Sequence, residues 1–454
     1  MRLALFSPLS PLRTAIADHV EGLLPYLAEF AEIELFVDDG YIPSNPEVST
    51  AFAVHNHREF PRLSNQYDAV IYHMGDEPHF HGYIYQALQK HRGLVVLHDL
   101  VLHHCIAGLT LGKGNVDGYL AEMSYAYGEE GTSVAKKILS GRRPDLMHKY
   151  PLVERVVDDA WAVIVHNDYA RQQVLTRRPS LPVTTIGQHF FLPEGVQADE
   201  DVTHLRQRLG LEGRFVVATF GLLIPAKRLD ISLRAFARFR HKEPRAVYLL
   251  VGPVAKDFDL AGMIHRMGLD ESVRLIGWQD PPSFVRHMLV ADLAVHLRYP
   301  HIGGTPYTPI RLMGLGIPTI VTDIEPLAEI PEGCCAKIDV DEYEEDTLLA
   351  TMEFLATHDG ARHEMAERGR SYIQTEHHPR VIAHKYKAFI EDLLSASEET
   401  VEKGPVAWEQ YLIGQVAATL AEWGVRSGDD ALLLPIAEAI ASLGIGSQES
   451  GGST

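Results

Sequence analysis

Cysteine is nearly missing from this 454-residue chain, which holds only Cys105, Cys334 and Cys335. Three thiols cannot build a disulfide framework, so apolar packing must hold the fold, and a reducing, cytoplasmic setting is expected. Long apolar runs are missing as well. No stretch approaches the length that crosses a bilayer, and the apolar start, residues 3–6, is too short for a signal peptide. The expectation is a chain without a transmembrane segment, with peripheral membrane association left open through a lipid substrate or a partner. Positive charge is in short supply: 41 Lys and Arg stand against 61 Asp and Glu, a net charge of −20. Such a balance repels polyanions and sets nucleic acid aside as a partner. What is present is ordinary globular material. Hydrophobic residues make up 46% and charged residues 22%, enough for substantial cores in two or three domains.

Short β-branched runs at 3–6, 33–37, 69–74, 94–98 and 162–166 alternate with segments of helical length. The second half repeats the scheme at 215–220, 247–251, 273–276, 293–297 and 318–322. This alternation predicts an α/β fold of two doubly wound parallel sheets facing across a cleft. The periodicity lapses near 187–200, the candidate hinge, which divides the chain into domains over 1–190 and 191–378. A helix is expected over 379–395, further helices over 396–443, and a Gly/Ser-rich disordered tail over 444–454. Trp408, Tyr411, Leu412, Ile413, Val416 and Leu420 suit core packing or a homo-oligomer interface.

Three strand ends carry chemistry. After 215–220 come Gly221, a loop, and Lys227, a glycine that lets a ligand approach the backbone and a point charge for a phosphate. After 293–297 come Arg298, the pair Gly303 and Gly304, and Thr305 or Thr308 as a helix cap, so that exposed amides there attract phosphate. In the first half, His98 and Asp99 follow a buried strand, where imidazole can bind a sugar hydroxyl or shuttle a proton. His79, His81, His103 and His104 lack any metal-site spacing and read as hydrogen-bonded or cleft-lining residues. The pairs Asp257/Asp259 and Asp339/Asp341 read as solvated surface.

Together Ser7-Pro8, Tyr72-His73-Met74-Gly75, Leu97-His98-Asp99-Leu100, Val163-Ile164-Val165-His166-Asn167, Phe220-Gly221, Lys227-Arg228-Leu229-Asp230 and Gly316-Ile317-Pro318 resemble the retaining glycosyltransferases of GT-B architecture, in the family 4 group. The resemblance implies sugar transfer from a nucleoside-diphosphate sugar without a metal or other cofactor, in polysaccharide or glycolipid assembly. It implies a donor-binding second domain, an acceptor-recognising first domain and a final helix that crosses back. Lys227 matches the lysine on the donor diphosphate, His98 the histidine facing the donor sugar, and Glu329 a commonly acidic position. Three departures stand out. Leu222 replaces an arginine, Ala15 replaces a glycine, and the usual glutamates eight apart fall on Gly303 (or Gly304) and Arg311. Arg298 or Arg311 is the candidate replacement cation. These losses carry an alternative: an impaired pseudo-enzyme that binds a nucleotide-sugar or scaffolds a partner.

Overall fold

The structure, a computed structural model, describes residues 1–141, 145–192, 196 and 198–402. The helices expected over 403–443 and the tail lie outside these residues. One compact unit covers Met1–Tyr386 and a second begins at Lys387. Both sheets lie in the first unit. One comprises β1 (Arg2–Phe6), β2 (Glu32–Val37), β3 (Ala53–Asn56), β4 (Ala69–Met74), β5 (Gly93–Leu97), β6 (Ala160–Val165) and β7 (Val183–Thr185) in the order β3-β2-β1-β4-β5-β6-β7. The other comprises β8 (Val216–Phe220), β9 (Val247–Val251), β10 (Val273–Gly277), β11 (Leu293–His296), β12 (Thr319–Thr322) and β13 (Ala336–Ile338) in the order β10-β9-β8-β11-β12-β13. All neighbouring strands are parallel.

Burial explains why these segments are strands. Every residue of β4, β5, β8 and β9 is buried, as in a sheet covered by helices on both faces. Sequence patterning misses β3, β7 and β13, because these edge strands are three or four residues long and only partly buried. In the first domain Phe6 stacks on Phe36 at 5.0 Å and meets Phe60 edge-on. In the second, helix Leu229–Phe239 buries Leu229, Leu233, Phe236 and Phe239 on one stripe, each stabilising by about 1.5–3 kcal/mol.

Strand order reverses beside β1/β4 and again beside β8/β11, and the carboxyl ends at such switch points are where ligands bind in open α/β sheets. Gly221 closes β8 at φ +93°, donating its amide to Val251 O at 3.0 Å. Gly252, at φ +140°, packs against it so closely that a Cβ would sit 2.1 Å from Gly221 O.

Candidate functional site

Lys227 ends a tight 3-10 turn, Pro225–Lys227, just beyond β8. Its side chain is buried, and Nζ donates to Phe220 O at 2.6 Å. A Cβ built on Gly221 would lie 3.6 Å from that Nζ and 3.7 Å from Thr308 Oγ1, so ammonium, hydroxyl and bare backbone converge. No carboxylate lies within ion-pair distance of Lys227 among the described residues. Burial, reinforced by the nearby Arg298 charge, pushes its pKa down to about 7. Arg298 follows β11; its amide is held by Thr322 Oγ1 at 2.8 Å, and its guanidinium makes no hydrogen bond or ion pair among the described residues. His296 is buried with neither ring nitrogen partnered, and burial, then Lys227 and Arg298, holds it well below the usual imidazole range. Lys227 and Arg298 thus gather at the carboxyl ends of β8 and β11 without an ion pair among the described residues, a costly arrangement until an anion binds.

Asp99, opposite them on the first domain, accepts from the Asp76 amide at 3.0 Å. Burial and the Asp76 charge raise its pKa to about 6, against the pull of Arg298. The site therefore unites Gly221, Lys227, Arg298 and Asp99.

His98 departs from expectation. Its Nε2 meets His73 Nδ1 and its Nδ1 meets His166 Nε2, each at 3.0 Å, while His166 Nδ1 donates to Ile186 O at 2.8 Å. That carbonyl sets the direction of the chain: His98 donates to His166 and accepts from His73. No ring nitrogen of His98 is left for a sugar hydroxyl, which corrects its expected sugar-facing role. Burial holds all three rings neutral, His73 at about 3 and His166 at about 4.

The glycine pair also behaves differently. Leu100 and Val101 donate their amides to Ile302 O, Asn167 Nδ2 donates to Gly303 O at 3.1 Å and to Thr305 Oγ1 at 3.0 Å, and Gln188 donates to Thr305 O at 2.9 Å. Thr305 Oγ1 in turn donates to His166 O at 3.2 Å. Residues 302–305 thus lie flat on the first domain. Neither Thr305 nor Thr308 caps helix Tyr307–Gly314, whose N-cap is Pro306 without a side-chain bond; the uncapped amides lie beside Thr308 and hence beside Lys227. A Cβ on Gly304 would meet His98 O at 2.1 Å. Two backbones cannot yield by that much locally, so Gly304→Ala is expected to part the domains, enlarging the radius of gyration in small-angle scattering.

Arg311 and Glu329 are not at the cationic site. Arg311 Nη2 pairs with Asp18 Oδ2 at 3.0 Å and its guanidinium lies 4.4 Å from the Tyr307 ring centre. Burial opposes its charge, but Tyr307 and Asp18 more than offset this. Glu329 accepts from the Asp168 and Tyr169 amides at 2.8 and 2.7 Å, capping helix Asp168–Arg177. Both are corrections: each residue joins the domains to each other, because its partner comes from the other sheet. Sequence reading also missed His296 and the stack of Arg13 on the half-exposed Trp278, 4.1 Å from its ring centre; the available signal was that His296 ends β11 and Trp278 directly follows β10.

The histidines weighed as metal ligands are dispersed. His103 bonds Tyr150 O and Tyr119 OH, His81 bonds Glu77 O, and His104 pairs with Asp76. Among the described residues the one group with ligand atoms close together is Asp38, Asp39 and His57, and Asp39 already pairs with Arg58. The expected solvated aspartates behave as such: Asp259 caps helix Leu260–Arg266 and pairs with Arg266. No helix of the described residues is long and apolar enough to cross a membrane.

Two doubly wound sheets with facing carboxyl ends are also what solved structures of similar shape contain. The HepE protein of Anabaena, in complex with UDP and glucose, aligns at TM-score 0.62 and 16% identity over 86% of this chain and 100% of that one. The fold is GT-B. Sucrose-phosphate synthase of Thermosynechococcus elongatus aligns at 0.61 and 16% identity, over 87% and 100% of the two chains. WaaG, a glycosyltransferase involved in lipopolysaccharide biosynthesis, aligns at 0.57 and 13%, over 86% and 99%. Residues 201–372, which contain Gly221, Lys227, Arg298 and Arg311, match the family of glycosyl transferases group 1. No curated protein matches the chain.

Proposed function

We propose that this GT-B chain transfers a hexose from a nucleoside-diphosphate sugar to an acceptor with retention of configuration. The observation that carries the reading is the basic pair at the β8/β11 switch point, the buried Lys227 and the half-buried Arg298, neither of them in an ion pair among the described residues. The bond from the anomeric carbon to the diphosphate breaks and one to an acceptor oxygen forms. Negative charge then gathers on the leaving phosphate, where Lys227, Arg298 and the uncapped amides at Tyr307 and Thr308 stabilise it. Asp99 on the opposite wall supplies the carboxylate that faces positive charge developing on the sugar. His98 holds this wall in place through its histidine chain, and Gly303 to Thr305 carry the contact that closes the domains. Among the described residues the one cluster of metal-ligating side chains, Asp38, Asp39 and His57, does not include Lys227, Arg298 or Asp99, and transfer is proposed to persist in EDTA. Retention, family 4 membership and a place in polysaccharide assembly rest on the motif resemblance, and a cytoplasmic setting rests on the scarcity of cysteine.

UDP and UDP-glucose, present in the Anabaena structures of similar fold, are the first compounds to test. Titration with a panel of nucleoside diphosphates, followed by donor hydrolysis, checks the reading; absence of nucleotide binding overturns it. One observation favours the second reading, an impaired scaffold: position 303 is glycine, and the guanidinium at 311 is bound to Asp18. That reading expects nucleotide binding with neither hydrolysis nor transfer to any acceptor.

A further inference from the structure

At the mouth of the cleft on the first domain, two histidines remain unused by the donor chemistry. His104, on the first turn of helix His103–Thr110, is half exposed, and its Nδ1 is held by Asp76 Oδ2 at 2.8 Å. The other oxygen of Asp76, Oδ1, accepts from the Cys105 amide at 2.9 Å. The carboxylate favours the imidazolium and leaves Nε2–H without a partner. His148, on the short helix Leu146–Lys149, packs against it with ring centres 5.8 Å apart. Its Nδ1 is buried and has no hydrogen-bond partner among the described residues. Arg298 and His301, from the second domain, lie close enough to lower the basicity of His148 together with His104, after burial itself. His301 is occupied, with Nε2 on Glu325 at 3.2 Å and Nδ1 accepting from Gly303 N at 3.1 Å. Two histidine donors therefore remain unfilled, His104 Nε2 and a His148 ring nitrogen, beside an Arg298 guanidinium whose five N–H groups exceed what one diphosphate takes up.

We propose that His104, His148 and Arg298 form an oxyanion subsite for the acceptor, which carries a phosphate next to the hydroxyl that receives the sugar. Donors from three separate elements suit a tetrahedral group with oxygens facing several directions, and a buried unpartnered nitrogen beside an imidazolium recovers its lost hydrogen bond when such a group binds. The subsite adjoins Asp99 and Lys227 through Arg298, which places a bound acceptor within reach of the reacting carbon. This inference rests on the transferase reading for its purpose, while the anion site itself can be tested without it.

The test uses the full chain saturated with UDP, so that the Lys227 site is filled, and titrates inorganic phosphate at pH 6.5. One additional phosphate site is expected, weakened at least tenfold in His104→Gln and in His148→Gln, with UDP affinity unchanged in both. No phosphate binding to the UDP-saturated protein, or equal binding in wild type and both variants, overturns the subsite. Should UDP itself not bind, the transferase reading fails, and the same phosphate titration on Lys227→Met protein still decides the subsite. Two further arms separate sources of the same group: glucose 6-phosphate against glucose, and phosphatidylcholine vesicles with and without phosphatidic acid. A preference for the phosphorylated member that vanishes in His104→Gln identifies a soluble sugar phosphate or a lipid headgroup; no preference in either arm counts against the proposal.

Discussion

Replacing Lys227 by methionine is expected to lower donor turnover by roughly 100- to 1,000-fold, the usual cost of removing one preorganised donor from a charge-bearing site. Methionine keeps much of the apolar stem, so the variant should fold. The same lysine also predicts a proton signature. In the free protein burial and Arg298 place its pKa at about 7, so at pH 8 the amine is largely neutral. A bound diphosphate favours the ammonium, and UDP binding at pH 8 should therefore take up close to one proton. Calorimetry in buffers of different ionisation enthalpy measures this uptake, which should disappear in Lys227→Met. For stability the sign runs the same way. Between about pH 7 and the unfolded-state value of roughly 10.4 the unfolded chain binds more protons, so this residue's destabilising effect fades as pH rises. Wild type minus Lys227→Met stability should increase across that window. UDP affinity unchanged by the substitution would remove the diphosphate from this site.

The second large effect is expected from the neighbouring residue. Arg228 adopts φ +50° at the start of helix Leu229–Phe239. Its Nε donates to Glu344 Oε1 at 2.6 Å, and its Nη2 reaches the other carboxylate oxygen. Glu344 is 1% exposed, so Arg228→Ala leaves a buried carboxylate unpaired and should cost about 3–5 kcal/mol in denaturant unfolding. Because the Lys227 turn leads directly into Arg228, nucleotide affinity should fall too. The double replacement Arg228→Met with Glu344→Leu should recover most of the stability, since it removes the orphaned charge. A loss below about 1 kcal/mol for Arg228→Ala would mean that the pair behaves as a surface ion pair.

The strands that line the site were legible because each is a run of apolar residues long enough to be recognised locally: 69–74 and 247–251 coincide with β4 and β9. Gly221, Lys227 and Arg298 were legible for the same reason, as residues that follow a buried strand at the sheet edge where ligands sit. His98 and Asp99 were found by the same rule, yet one became the middle of a histidine chain and the other faces the cations. Their different fates depend on His73 and His166, which are 25 and 68 residues away from His98.

Local apolar period and glycine placement by themselves determined two parallel sheets and a glycine and lysine in the loop after β8, because these depend on neighbours within a few residues, whereas the strand order and its switch points came from the tertiary structure. The tertiary structure decided which charges remain free. Arg311 finds Asp18 at a separation of 293 residues and Glu329 finds the Asp168 amide at 161. A long side chain binds whatever complementary group folding brings within hydrogen-bond reach, and that group belonged here to the facing domain.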